Sequence, residues 1–264
     1  MLNSTYDYFS FRRDANILYV TIDNGDRHNR IDAAMHKELS RVFYEIGEDP
    51  ESDVVVLSAA GRFFGVGGDL DYMRDQIDDP NLFHRSVREA KRIIYSILEC
   101  DKPIVARVHG QAIGLAATMA LACDIVVADE EAIIVDPHVR VGLVAGDGGA
   151  LLWPQMIGYA RAKYHLLTGR PITGRDAAAI GLIAKAVPAA ELDGAVEEIA
   201  REMATGATKA IRFTKSTINS ELQRMAHSIM DIGMAYEAVS GRTYDHDEAI
   251  KAFREKRPPA FKQD

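Results

Sequence analysis

Two short runs rich in β-branched residues, 53–58 (DVVVLS) and 103–108 (PIVARV), each lead into a glycine-rich segment and then into a helical pattern. This repeated order of strand, glycine turn and helix is the feature that most restricts the fold, because strands alternating with helices pack as a layered α/β core. A third alternating run, 16–22, precedes them, and 124–128 and 133–135 read as further strands. Residues 33–46 place Leu39, Val42, Phe43 and Ile46 on one helical face, and 87–98 do the same with Val87, Ile94, Ile97 and Leu98. After Trp153 the chain turns increasingly helical, with helices expected over 197–203, 207–226 and 228–239. A composition shift near residue 195 divides an α/β core, residues 1–195, from a helical region, residues 196–264.

With 264 residues, 47% of them apolar, the chain can bury a sizeable core. Its net charge of −8 argues against the broad basic footprint of a nucleic-acid binder. Residues 1–13 lack a basic start followed by an apolar block, so no secretory signal is expected and a cytoplasmic location is. The longest uncharged apolar run, 112–123, has 12 residues, short of the roughly 20 that span a bilayer, and reads as a buried helix; no membrane partner is expected. Cys100 and Cys123 have no cysteine or histidine at ligand spacing, which predicts packed thiols and neither a disulfide nor a metal site.

Glycine concentrates at 61–68 (GRFFGVGG), 110–114 (GQAIG) and 142–149 (GLVAGDGG). None of these completes G-x-G-x-x-G, and no GK[ST] occurs, so phosphate-loop chemistry is not indicated. The first two clusters each follow a strand and open a helix, where backbone N–H groups are unpaired and positively polarised. Two such groups converging on one point would form an oxyanion hole for an enolate or a tetrahedral oxyanion.

Five stretches together resemble the crotonase, or enoyl-CoA hydratase/isomerase, superfamily: GRFFGVGGDL (61–70), PIVARVHGQAIGLAATMALACDIVVA (103–128), DPHVRVGLVAGDGGALLWP (136–154), LLTGRPITGRDAAAIGLI (166–183) and AFREKRPPAF (252–261). The resemblance implies a spiral of ββα units, a C-terminal helical trimerisation region, and a homotrimer or dimer of trimers. It further implies a small-molecule carbonyl or acyl-CoA substrate, with coenzyme A as part of that substrate and no tightly bound cofactor. By the same resemblance, the oxyanion-hole amides map to Gly68 and Leu115, and coenzyme A contacts to Phe253, Lys256 and Phe261. Lys256 and Arg257 read equally well as a solvated helix end.

The departure from that pattern concerns the chemistry. Where hydratases of the family carry two glutamates, this chain has Thr118 and His138. A threonine hydroxyl has no pKa near neutrality and cannot replace a carboxylate as general acid or base. His138 can shuttle protons when its tautomer is fixed, and Asp147, nine residues on, is the carboxylate expected to fix it, its alternative role being a helix cap. DPH followed by GDG, with Glu237 in AYEA, is similar to the branch of 6-oxocamphor hydrolase and related β-diketone hydrolases. That implies hydrolytic retro-Claisen cleavage with His138, Asp147 and Glu237 as catalytic residues, Glu237 reading equally as a helix-surface residue. Two alternatives stand beside it: a hydratase or isomerase in which Asp147 or Glu237 supplies the missing function, and a non-catalytic acyl-CoA-binding homologue. Asp69 reads as a helix cap, and His109, His165 and Trp153 as local packing groups.

Overall fold

The computed structural model describes residues 6–262. The chain starts with an antiparallel pair, β1 (Phe9–Asp14) and β2 (Ile17–Ile22). Helix α1 (Ala33–Gly47) then returns it to β3 (Val54–Ala59), parallel to β2. Helices α2 (Leu70–Asp78) and α3 (Pro80–Glu99) lead to β4 (Ile104–Val108), parallel to β3. Next come β5 (Gln111–Ile113), α4 (Leu115–Ala122), β6 (Ile125–Asp129) and β7 (Ile133–Val135). Beyond them lie α5 (Gly149–Thr168), β8 (Ile172–Thr173), α6 (Gly174–Ala179) and β9 (Lys185–Val187). Helices α7 (Leu192–Thr205), α8 (Thr208–Ser240) and α9 (Tyr244–Arg254) complete the chain. The main sheet runs β1-β2-β3-β4-β6-β9, and β5-β7-β8 form a smaller one.

Alternation along the strands sorts the core into two layers. Leu18, Val20, Val55, Leu57 and Ala106 face α1 and α3 in the larger cluster. Ile17, Val54, Val56, Val105 and Val127 face α7 in the smaller one, so the α/β layering expected from the sequence is present. Helix starts follow local chemistry: Asp32 caps α1 by accepting from the Met35 N–H, and Asp69 caps α2 by accepting from Asp71 and Tyr72. Cys100 and Cys123 are buried free thiols, as expected. Residue 195 lies within α7, which packs on the sheet. Among the described residues no helix is long and apolar enough to cross a membrane.

Two expectations are corrected. The apolar run 112–123 is not one helix: Gly114, at φ 55° and ψ −127°, takes a conformation closed to L side chains and divides strand β5 from helix α4. The helices expected over 207–226 and 228–239 are one continuous helix of 33 residues, with His227 inside it packed 4.6 Å from the Tyr95 ring. Polar anchors hold α8 to the core. Lys215 Nζ donates to the Lys102 carbonyl and pairs with Asp124, each at 2.8 Å, and Asn219 and Gln223 donate to the Leu98 carbonyl at 3.0 and 2.9 Å.

Lys102, 1% exposed, is a buried polar tie: its ammonium donates to the Ile46 carbonyl at 2.7 Å, to the Asp49 carbonyl and to the Ser52 hydroxyl. Lys102→Met would leave those acceptors buried without a donor, costing about 2–4 kcal/mol. Urea denaturation should therefore show a lower midpoint at unchanged slope, whereas an unchanged midpoint would mean that the tie contributes nothing.

Candidate active site

The first two glycine clusters run side by side. Gly65 donates to the Gln111 carbonyl and accepts from the Ile113 N–H, each at 3.0 Å, which places Gly65 opposite Ala112 in a parallel bridge. Gly68 and Leu115 each stand three positions beyond that pair, so the register brings their amides to the same end of the two segments. Leu115 is the first residue of α4, where an N–H has no intrahelical acceptor, and among the described residues neither it nor the Gly68 N–H has a hydrogen-bond partner. The Gly67 turn, at φ 81°, packs on the Ile113 carbonyl, and Met73 of α2 lies directly against Gly68.

His138 opens a short 3₁₀ turn, His138–Val141, after β7, and its Cε1 comes 3.9 Å from the position a Gly114 Cβ would occupy, beside the Leu115 peptide. The ring lies between two carboxylates. Asp136 Oδ1 is 2.6 Å from Nδ1, and Asp147 Oδ2 is 3.5 Å from Nε2. The carboxylate on Nδ1 is thus Asp136, a residue the sequence reading did not single out, although its place two positions before the histidine in Asp-Pro-His was the available signal. Asp147 sits on the opposite nitrogen. It also accepts from the Thr118 hydroxyl at 3.4 Å and from the Gly149 N–H, while the α5 cap position itself belongs to Gly148. Glu237 reaches the cluster from α8 and is buried, with Oε2 unpartnered among the described residues. The close approach of Gly146 to Gly233 admits it, since a Cβ on Gly146 would fall 2.4 Å from the Gly233 carbonyl. From α9, His246 Nδ1 donates to the Val141 carbonyl at 2.6 Å and buttresses the turn.

The electrostatics follow from burial and proximity. Burial disfavours charge on the His138 ring, but the Asp136 and Asp147 carboxylates outweigh it and hold the imidazole well above its ordinary pKa. Burial raises the Asp147 carboxyl, with His138 working against that rise and Asp136 adding to it. Glu237 is pushed up to about 8, chiefly by burial, with Asp147 and Asp136 adding repulsion and His138 opposing. At neutral pH the cluster therefore holds a carboxylic acid, Glu237, beside a protonated His138 ring whose Nε2 lies 3.5 Å from the Asp147 carboxylate. Such a set can both accept and return a proton. Asp136, His138 and Asp147 also offer ligand atoms within 4.8 Å of one another, although an ion between Asp136 and the ring would have to displace the Nδ1 proton.

The remaining candidates lie elsewhere. Phe253 is 65% exposed on α9, Lys256 follows the helix in a left-handed conformation, and Phe261 is 43% exposed. Their tail is tied to α9 by Glu248, which accepts from Arg257 and from the Ala260 N–H, and among the described residues no hydrogen bond or ion pair joins any of the three to the His138 cluster. Asp69 is a cap, His109 and His165 make local hydrogen bonds to the carbonyls of Gly61 and Arg170, and Trp153 is fully buried, each as the sequence suggests.

Comparison with known proteins matches the chain to a family. Residues 12–264 fit the enoyl-CoA hydratase/isomerase family model. The chain is 30% identical over 250 residues to 1,2-epoxyphenylacetyl-CoA isomerase of Escherichia coli, covering 93% of this chain and 94% of that one. Among solved structures, it resembles an enoyl-CoA hydratase/isomerase from Mycobacterium paratuberculosis, with TM-score 0.86, 31% identity, and coverage of 93% and 99%. It also resembles a β-diketone hydrolase from the cyanobacterium Anabaena bound to (S)-3-oxocyclohexyl acetic acid, with TM-score 0.84, 27% identity, and coverage of 91% and 96%. The chain belongs to the enoyl-CoA hydratase/isomerase, or crotonase, family.

Proposed function

We propose that the protein hydrolyses a carbon–carbon bond in a β-dicarbonyl compound, as a free diketone or an acyl-CoA, through an enolate held by the amides of Gly68 and Leu115. The observation that carries this reading is the imidazole of His138 between the Asp136 and Asp147 carboxylates, beside the peptide that opens α4. Its likeness to the Anabaena β-diketone hydrolase agrees with it. Asp147, its charge balanced by the protonated His138 ring, takes a proton from water as the oxygen adds to one carbonyl. The bond to the carbon between the two carbonyls then breaks, and its electron pair passes into the second carbonyl as an enolate. The two amides stabilise the enolate oxygen, and the neutral Glu237 carboxyl protonates the carbon. The products are a carboxylic acid and a ketone, or a thioester where coenzyme A is present. Coenzyme A, where used, reaches the exposed Phe253, Lys256 and Phe261, and three copies assemble through the C-terminal helices.

Hydration or isomerisation of an enoyl-CoA is the second reading, favoured by the names of the Escherichia coli and mycobacterial relatives. A panel of cyclic β-diketones, β-ketoacyl-CoAs and crotonyl-CoA separates the two. Cleavage of a dicarbonyl that is lost in His138→Ala supports the hydrolase, whereas crotonyl-CoA hydration surviving that change would overturn it.

On the cleaved substrate, His138→Ala should lower kcat by roughly 10²- to 10⁴-fold. Leu115→Pro removes one amide at a helix position that tolerates proline, so kcat should fall on the order of 10²- to 10³-fold while Leu115→Ala retains most activity. Equal losses in the two Leu115 variants would assign the effect to side-chain packing.

Glu237 yields a pH prediction with a definite sign. Its folded value of about 8 lies above the ordinary 4.5, so its contribution to stability is full below pH 4.5 and is lost as pH rises through 8. Over the upper part of that range kcat should fall as the donor loses its proton. Glu237→Gln should flatten the stability decline between pH 4.5 and 8, measured by chemical denaturation at several pH values.

A further inference from the structure

We infer that Asp136 is a positioning residue for proton transfer: it holds the Nδ1 proton of His138, aims Nε2 at Asp147 and supplies the counter-charge for a doubly protonated ring. The assignment deepens the reading of His138 and Asp147 as the proton-transfer pair and rests on it.

Three observations carry it. First, Asp136 Oδ1 lies 2.6 Å from Nδ1 and accepts the His138 backbone N–H at 3.2 Å, so one oxygen fixes both the ring and the turn that bears it. Pro137 between the two residues has a fixed φ and contributes no competing N–H. Second, the other oxygen, Oδ2, is fully buried and has no hydrogen-bond partner among the described residues. It occupies space that exists only because residue 149 lacks a side chain, 2.0 Å from where a Gly149 Cβ would be. An asparagine carbonyl would accept the same two N–H groups, so a purely structural tie gains nothing from a buried charge. Third, the positive end of α5 starts at that glycine, which makes the charge tolerable there. The carboxylate–imidazole contact is also the arrangement that sets which ring nitrogen carries the proton.

The ionisable groups facing His138 come from several elements: Asp136 beside the turn, Asp147 before α5, Glu237 on α8 and His246 on α9. Asp136 is the one on Nδ1. Of the others, Asp147 is on Nε2, while Glu237 and His246 act at longer range.

The test needs no substrate. In the full-length, ¹⁵N-labelled protein, the His138 ring nitrogens are followed through pH by NMR in wild type, Asp136→Asn and Asp136→Ala. The wild-type ring should stay doubly protonated through neutrality. Asp136→Asn should keep the Nδ1 proton while its titration midpoint falls by about one pH unit, a tenfold loss of proton affinity. Asp136→Ala should lose the Nδ1 preference as well. An unchanged titration in Asp136→Asn, with lowered thermal stability as its only defect, would overturn the assignment. If neither variant folds, the wild-type spectrum decides, since a Nδ1 proton facing a carboxylate at 2.6 Å gives a far-downfield resonance whose absence refutes the proposal. Where a β-dicarbonyl is cleaved, Asp136→Asn should lower kcat on the order of 10²-fold with KM little changed. If wild type cleaves none, the proposed reaction fails while the ring titration still decides the role of Asp136.

Discussion

Two carboxylates and a third, protonated carboxyl gather around one imidazole in the interior of this protein, and much of the structure around the site follows from making that burial tolerable. A buried charge without compensation is among the costliest features a fold can contain, and removing one member of a buried pair is more damaging than never having had it. Here the imidazolium lies between Asp136 and Asp147, the start of α5 faces both acids, and Glu237 remains protonated at neutral pH. Each device comes from a different part of the chain. The cluster therefore couples the end of β7, the third glycine segment and α8, with α9 bracing the turn through His246.

The same logic explains why α8 is held so firmly. A helix that delivers a carboxyl to a buried site must not slide, and apolar packing alone permits small shifts along its axis. Lys215, Asn219 and Gln223 fix the register of α8 through the carbonyls of Lys102 and Leu98, and Lys102 is itself tied to the end of α1. At the far end of the helix, the Gly146–Gly233 contact brings the backbones together and leaves Glu237 one helical turn beyond. The position of the acid thus depends on polar bonds many residues away.

Much of this was legible in the residues. β-branched runs and apolar spacing marked β2, β3, β4, β6, β7 and α1, because those segments bury one or both faces and local pattern determines their fate. Edge strand β1 and the two-residue β8 escaped notice, since neither shows a sustained buried face. The split at Gly114 was hidden because apolar content alone cannot separate a short strand from a buried helix. At the site, a histidine in a motif was visible, as was a carboxylate nine positions on. Which oxygen meets which ring nitrogen is a matter of three-dimensional approach, and the sequence offered no measure of it. Glu237 was legible only through resemblance, because its burial depends on a close helix–loop contact far from it in sequence.

Thr118 completes the physical account. Its hydroxyl accompanies the Gly114 carbonyl at 3.2 Å and the Asp147 carboxylate at 3.4 Å, and its methyl group closes the space over Gly148. A glutamate there would bring a further carboxyl against Asp147 in a region that already contains three. Repulsion and desolvation would then have to be met by another proton or cation. The acids of this cluster therefore stand on the two sides of the imidazole, Asp136 at Nδ1 and Asp147 at Nε2, and not on α4. The small neutral hydroxyl of Thr118 lets that imidazole stand next to the α4 peptide without a competing charge.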